Sequence, residues 1–169
     1  MKSLTLVFLL TFSFNTFAQT CLGNVARTAP DGDFEEVTDT EIRQISTGLV
    51  WQRCALGQTW GNNSCEGDAT KFTWSQALEA AWQANDENRQ GWRLPNLKEL
   101  ATLTERACVR PAIPTAYFPQ TPSDDFWTST PSVSDPLRAW VVAFFNASHS
   151  IKAKDRAIYV RLVRTDVAE

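Results

Sequence analysis

The sequence has little histidine and little glycine, and beyond its first residues it has no long hydrophobic run. A single His in 169 residues leaves little material for a His-based catalytic or metal site. Seven glycines exclude a collagen-like repeat, and a formal net charge of −3 argues against a nucleic-acid binder, which needs a basic surface. With 43% hydrophobic and 21% charged residues, the chain has the composition and length of one ordinary globular domain.

Residues 1–18 have the pattern of a secretory signal peptide. Lys2 precedes an apolar run at residues 4–14, and the segment ends in small residues, so we expect cleavage before Gln19. As a helix that run rises about 16 Å, which is too short for a bilayer core of about 30 Å. We therefore predict export to the periplasm, the cell surface or the medium, without membrane insertion of the mature chain.

Four cysteines in an exported chain predict two disulfides. Three pairings of four cysteines are open in principle. Cys54 and Cys65 flank a short polar loop, so we expect these two to pair and Cys21 to join Cys108. No two cysteines have the CxxC spacing of a zinc site.

Two capping boxes predict two helices. The first box is Thr73 with Gln76, and the second is Asn96 with Glu99. Apolar residues recur at helical spacing in the first helix and form one stripe. Its members are Trp74, Ala77, Leu78, Ala81 and Trp82.

Alternating hydrophobic residues predict short strands on both sides of the helices. In the last strand, residues 158–164, this alternation puts Tyr159 and Arg161 on the outer face. The fold class is α+β, with one domain at 37–165. The other predicted segments are an irregular lead-in at 19–36, strands at 36–39, 49–52, 126–130, 139–145 and 149–155, loops at 54–70 and 109–125, and a tail at 166–169.

Several motifs follow one another in a fixed order: TGLVWQ at 47–52, WRLPNLKEL at 92–100, FWTST at 126–130 and YVRLVR at 159–164. Together with Cys54 and Cys65, this set resembles the Lcl C-terminal domain family of bacterial proteins. The resemblance implies a C-type-lectin-like fold, related to formylglycine-generating enzymes, with two helices flanking a twisted antiparallel sheet. It implies secreted or surface-displayed proteins, some of which attach to host matrix or sulfated polysaccharide, and it supplies no catalytic residue set.

The last third of the chain carries the candidate anion site. Period-two alternation puts Lys152, Lys154 and Arg156 on one side of a strand, and Arg161 on a neighbouring strand joins them. Clustered cations attract sulfated or carboxylated glycans. The alternative is a charged edge strand that blunts aggregation.

Among the seven tryptophans, Trp60 is the candidate for sugar stacking, because it lies in the polar loop between Cys54 and Cys65. We expect most of the others in the core. Three weaker sites are His149 with its flanking serines, the adjacent Asp124 and Asp125, and the acids of residues 31–36. We expect no cofactor, with calcium at residues 31–36 as the open exception.

These observations favour an exported, non-catalytic recognition or adhesion module that binds an anionic glycan or an extracellular or envelope protein. One alternative is a structural or assembly component of a surface machine such as a pilus. A second is a cryptic enzyme on the scaffold of the formylglycine-generating enzymes, whose copper-binding cysteine pair it would need to share.

Overall fold

Two short helices lie in the middle of a chain that is otherwise built of strands. The structure is a computed structural model that describes residues 19–85 and 91–165. The predicted signal peptide, residues 1–18, and the tail, residues 166–169, lie outside the described residues. No helix in the described ranges is long and apolar enough to cross a membrane.

Both predicted capping boxes are formed. The Thr73 hydroxyl accepts the Gln76 N–H, and the Gln76 side-chain carbonyl accepts the Thr73 N–H at 2.9 Å. Asn96 and Glu99 make the same reciprocal pair, with distances of 3.0 and 2.7 Å. Each box satisfies N–H groups that have no partner inside the helix. The helices are α1 (Trp74–Gln83) and α2 (Leu97–Ala101).

The strands form two main sheets. One has four strands in the order β13-β4-β3-β2, and the other has five in the order β11-β10-β9-β12-β7. Two smaller pairs, β1-β8 and β5-β6, lie outside them, and β12 runs parallel to β9. The strands are β1 (Thr20–Cys21), β2 (Phe34–Thr38), β3 (Glu41–Gln44), β4 (Leu49–Gln52), β5 (Thr59–Gly61), β6 (Ser64–Glu66), β7 (Lys71–Phe72), β8 (Cys108–Val109), β9 (Asp125–Pro131), β10 (Arg138–Ala143), β11 (Ser148–Ala153), β12 (Ile158–Tyr159) and β13 (Val163–Thr165).

The predicted strand at 49–52 is confirmed as β4, and those at 126–130, 139–145 and 149–155 are confirmed with ends shifted by one or two residues. Two elements were not predicted from the sequence: β3 and the β5-β6 hairpin, which occupies part of the predicted loop 54–70. The lead-in is not wholly irregular either. It contains β1, a 3₁₀ turn at Asp31–Asp33 and the start of β2.

The predicted continuous strand at 158–164 is wrong. Residues 158 and 159 pair in the five-stranded sheet as β12, and Val163 begins β13 in the four-stranded sheet. The chain changes sheet in between, so the alternation of inner and outer faces does not continue across the break. Val160, Arg161 and Leu162 are all fully buried, which corrects the outward placement of Arg161.

The disulfide prediction is confirmed. Cys21 is bonded to Cys108, and Cys54 to Cys65. The first bond joins β1 to β8 across 87 residues of sequence, and the second ties Cys54, which precedes β5, to the middle of β6. Cross-links of this kind reduce the conformational entropy of the unfolded chain, which is the main way in which they stabilise a small exported domain.

Candidate ligand-binding site

A cavity lies along the loop that connects β8 to β9, and we call it the loop cleft. Its volume is about 820 Å³. The loop supplies most of the wall. Gln19, which follows the predicted cleavage site, supplies one edge, and Phe145, in the turn after β10, supplies another. The lining residues are Gln19, Arg110, Pro111, Thr115, Pro119, Gln120, Thr121, Pro122, Ser123 and Phe145.

Gln19 is fastened to the loop by its side chain. Its amide donates to the carbonyls of Pro111 at 2.6 Å and Ile113 at 2.8 Å, and its carbonyl accepts the Thr115 hydroxyl at 3.2 Å. The neighbouring Cys21–Cys108 disulfide and the β1-β8 pairing hold the two segments together. This edge of the cleft is therefore built from residues more than ninety positions apart.

Arg110 is the cation of the cleft. Its guanidinium carbon lies 4.7 Å from the ring centroid of Phe145, and its backbone N–H donates to the Phe145 carbonyl at 3.1 Å. Both side chains are exposed. No carboxylate in residues 19–85 or 91–165 lies within ion-pair distance of Arg110. The guanidinium is thus held over an aromatic ring with its donors available to an anion.

Two further polar groups in the cleft are available to a ligand. Within the described chain, the Gln120 side-chain amide and the Ser123 hydroxyl have no hydrogen-bond partner. The backbone of Gln120 is fixed, since its carbonyl accepts the Gln58 amide at 3.3 Å. The cleft therefore combines one cation, one amide and one hydroxyl with apolar surface from Phe145 and three prolines.

Two of these residues have left-handed backbone conformations. Arg110 has a φ of 56° and Gln120 a φ of 51°. This region costs a residue with a side chain about 1 kcal/mol or more, and such residues concentrate at functional sites. Glycine would adopt both conformations at lower cost.

Arg161, which the sequence analysis assigned to the basic face, supports the cleft from inside. It donates to the carbonyls of Gln52, at 2.7 Å, and Arg53, and to the Thr121 hydroxyl at 2.7 Å. Desolvation by burial lowers the pKa of Arg161 to about 9, so it is protonated at neutral pH. Since Thr121 lines the cleft next to Gln120, Arg161 fastens the cleft wall to the end of β4.

The other predicted basic residues do not form a free cationic face. The ammonium of Lys152 pairs with Asp125 at 3.1 Å, and that of Lys154 lies 4.1 Å from the ring centroid of Trp74. Arg156 is exposed and has no ion pair in the described chain. With Arg161 buried, only Lys154 and Arg156 keep charges that no carboxylate neutralises.

Trp60 is partly buried in the β5-β6 hairpin, opposite Cys65. The guanidinium carbon of Arg53 lies 4.2 Å from its ring centroid, so one face of the indole is already covered. Trp82 differs from the other tryptophans, because it is 70% exposed although it belongs to the predicted apolar stripe of α1.

The weaker candidate residues Asp124, Asp125 and His149 do not come together in one site. Asp124 pairs with Lys71 at 2.8 Å while Asp125 pairs with Lys152, and His149 is exposed on the edge strand β11. Burial alone raises the pKa of Asp124, but the hydrogen bonds from Lys71 and the Asp125 N–H outweigh it, so the pKa is lowered.

The acids at residues 31–36 have separate partners. Asp33 accepts from Gln44 and Ser46, Glu35 pairs with Arg43, and Glu36 pairs with Arg53. No group of three metal-ligating side chains converges in the part of the chain that the structure describes. All four cysteines are in disulfides, so the copper-binding pair that the enzyme alternative requires is not present as thiols.

The WRLPNLKEL motif has a structural role. Arg93 exchanges both backbone hydrogen bonds with Val163, and its guanidinium forms two hydrogen bonds to Glu99, each 2.8 Å long. The Pro95 carbonyl accepts the Ser129 N–H at 2.7 Å. The motif thus joins the start of α2 to strands of both sheets.

A comparison with protein families identifies the family of this chain. The family model of the Lcl C-terminal domain matches residues 40–164, a range that includes the motif and the whole loop between β8 and β9. No curated protein matches the chain at a significant level. Because the match extends over most of the sequence, the chain belongs to the Lcl C-terminal domain family.

Proposed function

We propose that this protein is an exported recognition module that binds an acidic saccharide, sulfated or carboxylated, in the loop cleft, without catalysis. The observation that carries the proposal is the guanidinium of Arg110, which lies over Phe145 at the edge of an 820 Å³ cavity with no carboxylate partner in the described chain. Export is supported by the two disulfides and by the signal-peptide pattern of the sequence.

The chemistry of the cleft suits a sugar acid or sulfate. A guanidinium donates two parallel hydrogen bonds to a carboxylate or sulfate group. The ring of Phe145 and the prolines offer apolar surface to sugar C–H groups. The free amide of Gln120 and the hydroxyl of Ser123 match sugar hydroxyls. The cavity volume is within the range of small-ligand sites, about 300–1,000 Å³.

The test is retention of the mature domain on immobilised dextran sulfate, with retention on uncharged dextran measured in parallel and subtracted. We expect retention that falls as salt rises, because ions screen the Arg110 interaction. Arg110→Ala should weaken binding by at least roughly tenfold, since a hydrogen bond to a charged group contributes about 1.5–3 kcal/mol. Arg156→Ala removes an exposed cation outside the cleft and is the matched control.

Two outcomes contradict the proposal. One is equal retention of the wild type and Arg110→Ala. The other is a loss of retention only when Lys152, Lys154 and Arg156 are replaced together, which would assign binding to the basic strand of the sequence analysis.

One observation favours the assembly alternative. The connection between β9 and β10 exposes two aliphatic side chains, with Val133 103% and Leu137 75% accessible. Exposed apolar groups at a hairpin tip are suited to contact with another protein. If the protein is an assembly component, an envelope protein should co-purify with the wild type and be lost with Val133→Ser/Leu137→Ser, while dextran sulfate retention is unchanged.

A further inference from the structure

A second surface combines an exposed indole with unused polar groups. Helix α1 buries Ala77 and Ala81 against the core, so the predicted apolar stripe is only partly internal. Leu78 is 37% exposed and Trp82 is 70% exposed. These two residues are four positions apart and therefore lie on one side of the helix. An indole with this exposure contributes little to the core.

Trp82 borders a groove of about 550 Å³, which we call the Trp82 groove. One wall comes from α1, another from the WRLPNLKEL segment, and β9 contributes one residue. The buried Trp92 lies in its lining. The lining residues are Leu78, Ala81, Trp82, Trp92, Arg93, Leu94, Asn96, Glu99 and Ser129, and none of them lines the loop cleft.

The groove has hydrogen-bonding capacity that the fold leaves unused. The Oδ1 atom of Asn96 accepts the Glu99 N–H at 3.0 Å, which fixes the amide and leaves its Nδ2 donors without a partner in the described chain. The Ser129 hydroxyl has no hydrogen-bond partner there either, although its N–H is bonded to the Pro95 carbonyl.

The charges that line the groove cancel. Arg93 and Glu99 form a two-pronged ion pair with N–O distances of 2.8 Å, and they are the cation and the anion of the lining. An ionic ligand group gains little from such a neutral pair. The apolar part is also small, since the exposed surface comes mainly from Trp82 and Leu78, so a broad protein interface is a poorer fit.

We propose that the Trp82 groove binds a pyranose unit of an uncharged polysaccharide. The C–H face of the sugar stacks on the indole of Trp82. Its hydroxyl groups accept from the Asn96 amide and exchange hydrogen bonds with the Ser129 hydroxyl. The groove is independent of the loop cleft, so this protein has two glycan contacts of different chemistry.

The test is affinity electrophoresis of the mature domain through gels that contain hydroxyethyl cellulose, galactomannan or dextran. We expect retardation by at least one of these polymers. Trp82→Ala should weaken that binding by roughly tenfold, Trp82→Tyr should keep most of it, and Ser129→Ala should weaken it several-fold. His149→Ala removes an exposed ring on β11, outside the groove and the loop cleft, and is the matched control. Relative to a polymer-free gel, it should be retarded as strongly as the wild type.

Three results would overturn the proposal. The first is that none of the three polymers retards the wild type. The second is that Trp82→Ala is retarded as strongly as the wild type. The third is that Trp82→Ala differs from the wild type only in its self-association, measured by sedimentation velocity. Thermal melting of each variant shows whether it is folded. The two proposals have separate readouts: dextran sulfate retention and its loss in Arg110→Ala test the loop cleft, and retardation by the uncharged polymers tests the Trp82 groove. Either proposal can therefore fail without the other.

Discussion

Arg93 and Glu99 are six residues apart and bind each other through two parallel hydrogen bonds, each 2.8 Å long. Glu99 also accepts the N–H of Asn96 at 2.7 Å. Burial alone raises the pKa of Glu99, but the hydrogen bonds from Arg93 and Asn96 and the charge of Arg93 outweigh it, so the pKa is lowered. The WRLPNLKEL motif is thus centred on a carboxylate whose ionised form the fold stabilises.

This pair predicts an acid-dependent loss of stability. The pKa of Glu99 is lower in the folded protein than in the unfolded chain, where it is near 4.5. Its ionised form therefore stabilises the fold above pH 4.5, and this stabilisation is lost as the pH falls through the pKa of the folded protein. We expect Glu99→Gln to lower the free energy of unfolding by about 1 kcal/mol at pH 7 and by less at pH 3. Urea denaturation at both pH values measures this.

Glu79→Gln is the control, because Glu79 is an exposed carboxylate on α1 that accepts from Gln83. A loss in Glu99→Gln that is equally large at both pH values would contradict the assignment.

The left-handed backbone of Gln120 predicts a gain of stability at the expense of binding. Gln120→Gly removes the cost of a side chain at a φ of 51°, so we expect the free energy of unfolding to rise by up to about 1 kcal/mol. Dextran sulfate retention should fall, since the amide is lost from the cleft. Ala147→Gly, at a φ of 60° outside the cleft, should gain stability and keep retention.

The two disulfides should differ in their effect on binding. Cys21→Ser/Cys108→Ser releases the strand pair that holds Gln19 in the cleft wall. We therefore expect a stability loss of up to about 4.5 kcal/mol and weaker binding by the protein that remains folded. Cys54→Ser/Cys65→Ser should lose up to about 3 kcal/mol but keep the affinity of the folded fraction. Circular dichroism gives the folded fraction of each double variant. Dextran sulfate retention divided by that fraction then distinguishes the effects of the two disulfides. Equal affinities of the two double variants would show that the first disulfide does not shape the cleft.

Arg161 and Arg156 are both arginines of the C-terminal segment, and the structure gives them opposite environments. Arg161→Ala leaves a cavity and removes the partner of the Gln52 carbonyl and the Thr121 hydroxyl, so we expect a loss of about 3 kcal/mol or more. Arg156→Ala, at an exposed position, should change stability by less than about 0.5 kcal/mol. Thermal and urea unfolding measure both, and similar small losses would contradict the buried role of Arg161.

Several elements were predictable from the sequence because their causes are local. The capping boxes at Thr73 and Asn96 lie within four residues of chain, and the pairing of Cys54 with Cys65 follows from a short loop. The pairing of Cys21 with Cys108 then follows because only two cysteines are left. The strand at 49–52 was predictable because its hydrophobic pattern continues across the whole strand.

The candidate site was not predicted, although a signal was present. The sequence predicts a loop at 109–125, which contains four prolines, and long irregular loops in compact domains are commonly functional. The sequence does not show that Gln19 and Phe145 reach this loop, because those contacts join segments far apart in the chain.

Short-range patterns and composition were enough to predict the family, the α+β class, both helix starts and the disulfides. Which side chains are available for binding depends on how the elements pack. The change of sheet between β12 and β13 buries Arg161, and the way α1 packs leaves Trp82 exposed. Periodicity tells which residues share a face, but whether that face meets solvent depends on what packs against it.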